Sequence, residues 1–131
     1  MSDESRNLWP LTLAPRNLRT PISVLRRQAE ELYQKTKGLL RGEIIFDGKD
    51  ASLSVHFNVV APALGRYHFW VFTVYQSANV FPVTLRSQEP GSVGVKSETL
   101  EEFETSLAEI LASKWVVENV NALWGESIGE G

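Results

Sequence analysis

Only two histidines occur in this 131-residue chain, His56 and His68, and they sit on adjacent stretches of a β-prone region. If Ala61 to Gly65 forms the turn between those stretches, both imidazoles point to one face of a sheet, beside Asn58, Arg66 and Trp70. Imidazoles so placed could serve as a metal pair or a general base. A zinc site needs three or four ligands, and the only acids able to join are Glu43 or Asp47, crossing from a preceding strand. Two polar side chains on a half-wet sheet face explain the same pattern more simply. A one-residue change of register would place the two histidines on opposite faces.

Other chemistry finds less support. Ser52, Ser54 and Ser92 are available, but no G-x-S-x-G elbow presents them as nucleophiles. Gly91-Ser92-Val93-Gly94 lacks the spacing of a phosphate-binding loop. Glu98, Glu101, Glu102 and Glu104 cluster where a helix should begin, and there they favour its positive end. The chain has no cysteine, which removes disulfides, thiol nucleophiles and cysteine-based metal sites. No catalytic residue, metal or cofactor is assigned, and an enzyme is not the favoured reading.

The elements that must position these residues centre on Ala51 to Arg86. Leu53, Val55, Phe57 and Val59 alternate with Ser54, His56 and Asn58, the period of a half-buried strand. From Arg66 to Gln76 both faces are apolar. Strict alternation puts Tyr67, Phe69, Val71, Thr73 and Tyr75 on one side and His68, Trp70, Phe72 and Val74 on the other. A third run carries Phe81, Val83 and Leu85, and Pro82, which has no N–H for a ladder, places it at an edge. Glu43 to Phe46 adds a fourth strand, with Asp47-Gly48 as its turn.

Helices flank this meander. Thr20 caps a helix that starts at Pro21 and buries Ile22, Leu25, Ala29, Leu32, Thr36 and Leu39, stopping near Lys37-Gly38. Thr99 and Glu102 have capping-box spacing ahead of Phe103, Leu107, Ile110 and Leu111. Ser113 can cap a last helix ending at Gly125, as a separate element or as the bent continuation of the one before. The expected fold is therefore α+β: an N-terminal helix, a four-stranded antiparallel meander, and one or two C-terminal helices. Residues 1–19 read as an extended arm, 20–125 as one domain and 126–131 as a frayed tail. The long segment Ser87 to Glu98 reads as a loop.

Net charge is −3 but uneven. Residues 1–41 hold eight Lys/Arg against four Asp/Glu, a net of +4, and residues 42–131 hold five against twelve, a net of −7. A basic first helix near an acidic last segment accounts for this. Nucleic-acid binding through Arg16, Arg19, Arg26 and Arg27 is not expected, because neither a domain-wide basic excess nor a recognition motif is present. No apolar run is long enough for a membrane span and no signal core follows the N-terminus, so a cytoplasmic protein is expected.

Three phrases carry a resemblance: Thr20-Pro21 with Gln28-Ala29 and Lys35-Thr36-Lys37-Gly38; Phe57 to Leu64 followed by Tyr67; and Phe81-Pro82-Val83. Together they resemble a pattern in small bacterial proteins of unassigned function. The helix–meander–helices order is also similar to ubiquitin-conjugating and RWD-type domains. The chain lacks the catalytic cysteine of the former, and Phe81-Pro82 is only a fragment of the RWD proline motif. That likeness implies a non-catalytic interaction module.

The aromatic band then becomes the strongest clue. If helices cover one sheet face only, His68, Trp70 and Phe72 remain on the other with His56, Asn58 and Arg66, an aromatic patch with a polar rim. The expected function is a protein-interaction module, self-associating or binding a protein partner through this set. The alternative is a small-ligand or enzyme site around His56 and His68 beneath the 87–98 loop. The simplest competing explanation is that the arm or the last helix covers the patch within one protomer.

Overall fold

The computed structural model describes residues 6–15 and 19–130. Arg16, the first five residues of the arm and the last of the tail lie outside them. The order is helix, five strands, two helices: α1 (Pro21–Lys35), β1 (Arg41–Lys49), β2 (Ser52–Ala61), β3 (Tyr67–Ser77), β4 (Val80–Ser87), β5 (Val95–Ser97), α2 (Leu100–Leu111) and α3 (Lys114–Glu130). The strands form one antiparallel sheet in sequence order. The α+β class is as expected, with one strand more.

Local chemistry starts each helix. Thr20 Oγ1 accepts the Ser23 N–H at 3.1 Å and Ser23 Oγ accepts the Thr20 N–H at 2.8 Å, a reciprocal cap. At α2, Thr99 Oγ1 accepts from the Glu102 N–H while Glu102 reaches back to the Glu98 N–H. Arg19 pairs with Glu104 at 2.6 Å, so the basic start of α1 does meet the acidic start of α2. Across the sheet, a Cβ added to Gly42 would fall 2.7 Å from Ala29 Cβ, which shows how closely α1 seats on β1.

All three helices contribute to one core. Leu25, Phe103, Leu107 and Val116 pack with Val55, Phe57, Val59, Phe69, Phe72, Val74, Val83 and Leu85 from the sheet. Phe57 and Phe72 stack with centroids 5.0 Å apart, and Phe69 meets Trp115 at 4.9 Å. Among the described residues no helix packs on the sheet's other face.

Three expectations change. β1 runs through Asp47-Gly48, which pair with Ser54 and Leu53; the two-residue turn is Asp50-Ala51, with Asp50 at φ 56°. β4 is not an edge, because the end of the 87–98 segment folds into β5 and pairs with Val83, Thr84 and Leu85. Pro82 is tolerated there because the β3–β4 ladder is interrupted between Thr84 and Val80. Of the two C-terminal arrangements the sequence allowed, the structure has two helices, α2 and α3, parted at Ala112 and Ser113. Gly125 does not stop the second, because a glycine costs a helix only about 1 kcal/mol and no proline follows; α3 passes through it to Glu130, burying Ser127 on the way. Among the described residues no helix is long and apolar enough to cross a membrane.

Candidate interaction surface

One irregularity decides which residues share the uncovered face. Phe57 pairs with Phe72, but Asn58 pairs with Trp70, so Val71 is an extra residue in β3. Such a bulge reverses the side-chain alternation of its strand. Before it, His68 and Trp70 face outward and Phe69 inward; after it, Phe72 and Val74 face inward, and Thr73 and Tyr75 outward. Phe72 therefore does not belong to the aromatic patch. It is 1% exposed, stacked on Phe57 beneath the helices. The strict alternation expected from the sequence holds only up to Val71.

The remaining residues converge as expected. His56 and His68 share the open face and flank Trp70, with ring centroids 5.9 Å and 6.5 Å from the indole. Trp70 is 46% exposed. The cross-strand rows read Arg41–Val60–His68, Glu43–Asn58–Trp70, Ile45–His56–Thr73–Arg86 and Asp47–Ser54–Tyr75–Thr84. Ile45, Trp70 and Tyr75 give this face large exposed apolar surface, bordered by charged residues.

A polar partner holds one of the two histidines, His56, in place. His56 Nδ1 lies 2.9 Å from Thr73 Oγ1, which also accepts from Gln88 Nε2 at 3.2 Å. The Thr73 hydroxyl can thus donate to Nδ1 while it accepts from the amide, leaving the His56 proton on Nε2. Arg66 donates to Glu43 at 3.1 Å, and the second Glu43 oxygen lies 3.8 Å from His68 Nδ1, beyond hydrogen-bond length. Glu43 does cross from β1, yet no group of three or more metal-binding side chains forms among the described residues. Asn58 is completely buried, and neither atom of its amide meets a hydrogen-bond partner.

From the 87–98 segment it is the second residue, Gln88, that reaches this surface. Gln88 binds the Val71 carbonyl through its N–H at 2.9 Å, in addition to its contact with Thr73. Farther on, Ser92, Val93 and Val95 line a cleft with Ser106 and Ile110 of α2, on the helical side. A separate apolar cleft of about 380 Å³ opens between α1 and α3, floored by Phe57, Val59 and Val71. Among its described residues the arm covers neither surface. Leu8, Trp9, Leu11 and Leu13 are all exposed.

Sequence reasoning missed Ile45, Thr73, Tyr75, Arg86 and Gln88. The alternation Glu43-Ile45-Asp47 contained the signal for Ile45 once β1 extended past Phe46. Thr73 and Tyr75 were hidden by the bulge. No protein-family model, curated protein or solved structure matches this chain.

Proposed function

We propose that this protein is a non-enzymatic interaction module that docks a protein partner on its uncovered sheet face, with Trp70 at the centre. The observation that supports the reading is a half-exposed tryptophan flanked by two imidazoles, on a sheet whose opposite face alone carries the helices. Tryptophan is among the residues most enriched at interface hot spots, where neighbouring polar groups keep water out. Ile45 and Tyr75 extend the apolar centre; Glu43, Arg66 and Arg86 form its polar rim.

The test is native mass spectrometry of the protein purified gently from its own cells, as wild type and as Trp70→Glu. Polypeptide mass lost in the variant, at an unchanged melting temperature, supports the reading. A folded variant that keeps every association ends it.

A second reading draws on the Gln88–Thr73–His56 chain, which orients one imidazole as a ligand or substrate group would require. There His56, His68, Arg66 and Trp70 line a small-ligand site. Histidine ring NMR signals that do not move across a broad metabolite and metal screen would remove it.

A further inference from the structure

The two edges of the sheet are built differently. β5 is three residues long and lies beside α2, so that edge is short and covered. β1 is nine residues long, pairs with β2 without a register shift, and holds no proline. Its outer side is open, and Ile45 and Phe46 are 37% and 45% exposed. A long, regular edge with exposed apolar residues at its centre is a template for strand pairing unless another chain occupies it.

From this edge we infer that two copies of the chain join through β1, antiparallel about a two-fold axis at Ile44, and form one ten-stranded sheet from two of five. A two-fold perpendicular to the sheet keeps the open faces continuous, so odd positions of β1 must pair with odd and even with even. Charge then selects among the allowed registers. An axis at Ile45 sets Glu43 against Asp47 and Arg41 against Lys49, like charges throughout. An axis at Glu43 sets that carboxylate against its own copy. An axis at Phe46 would pair Glu43 with Lys49, but Arg66 already neutralises Glu43 within the protomer. An axis at Ile44 pairs Arg41 with Asp47 twice, and Asp47 has no ion pair of its own among the described residues.

Shape agrees with charge. The Ile44 axis puts each Phe46 opposite Gly42 of the other copy, on the helical side of the sheet. Beside Gly42 lies a shallow cleft of about 390 Å³, lined by Ala29, Glu30, Tyr33 and Ile44. Gly42 itself is covered by Ala29 and Phe57, so the incoming ring takes the cleft beside it. The dimer therefore covers Phe46, the most exposed apolar ring of β1, and leaves both Trp70 faces open on one side.

Sedimentation equilibrium of the full chain tests this with charge reversals on the strand. The wild type is expected to be a dimer. Arg41→Asp and Asp47→Arg should each weaken it at least about tenfold, since each converts two attractive cross-strand pairs into repulsive ones. The double variant should recover the wild-type affinity to within about threefold. A wild type that stays monomeric overturns the inference. So does a dimer indifferent to either reversal, or a double variant that fails to recover. Because the chain has no cysteine, Ile44→Cys supplies an independent readout. Its two copies would sit about 4.5–5.5 Å apart between Cα atoms, close enough to oxidise into a disulfide. Gly48→Cys should not cross-link; if it does so and Ile44→Cys does not, the register is wrong. Trp70→Glu should leave the dimer intact, which separates this interface from the one proposed for the open face.

Discussion

Asn58 lies directly across the β2–β3 ladder from Trp70; the amide is completely buried while the indole is nearly half exposed. A buried amide with no partner costs about 1–3 kcal/mol relative to one that is satisfied. Replacing it with an apolar group of similar size removes that cost. Asn58→Leu should therefore be neutral or raise stability by about 1 kcal/mol, measured by urea denaturation. A loss above 2 kcal/mol would mean that the amide is satisfied in solution.

The bulge at Val71 divides neighbouring aromatics into two energetic classes. Phe72→Ala should cost about 3–5 kcal/mol, as a large core truncation does. Trp70→Ala should cost under about 1.5 kcal/mol, since much of the indole remains in water when the protein is folded. Equal losses in guanidinium melts would contradict the assignment of these two rings to opposite faces.

Thr73 Oγ1 is buried and bridges His56 and Gln88. Thr73→Val keeps the shape and removes both hydrogen bonds, so stability should fall by about 1–3 kcal/mol. The His56 ring signals in a proton–nitrogen NMR spectrum should move, while those of His68, which makes no hydrogen bond to Thr73, should stay. Movement of both would indicate a wider rearrangement.

Gly42 is where α1 rests on the sheet. In Gly42→Ala the new Cβ would lie 2.7 Å from Ala29 Cβ and 2.8 Å from Phe57 Cζ, so the helix must shift. A loss of about 1–3 kcal/mol follows from such overpacking. Ala29→Gly in the same chain should return part of it, despite glycine's own helix penalty, and thermal melts of the pair of variants decide the point.

Elements whose signals are local were legible in the sequence. Thr20 and Thr99 cap the helices as their spacing implied, and Leu25, Phe103, Leu107 and Val116 mark faces that do pack on the sheet. His56 and His68 share a face because five residues connect β2 to β3, as many as expected, although they are Pro62 to Arg66 rather than Ala61 to Gly65. What escaped depends on pairing between distant segments. Nothing in the run Tyr67 to Gln76 distinguishes Val71 from its neighbours, because both faces of that stretch are apolar and alternation cannot reveal an extra residue. β5 was equally hidden, since three residues in a glycine-rich segment carry no period. Glycine and aspartate at Gly48 and Asp47 suggested a turn that cross-strand pairing moved three residues on, to Asp50-Ala51.

Val71 also bears on insertions and deletions. Removing one residue from a central strand ordinarily turns every side chain beyond it to the wrong side. Here the β2–β3 ladder would become regular: Phe57 would still oppose Phe72, Asn58 would still oppose Trp70, and no ring would change sides. A chain shortened by that single codon would keep its sheet pairing but lose one buried side chain of the core, the Gln88 anchor on the Val71 carbonyl and part of the floor of the α1–α3 cleft. Any relative of this protein aligned by apolar pattern alone would then be out of step by one over half of β3, although the two structures would superpose.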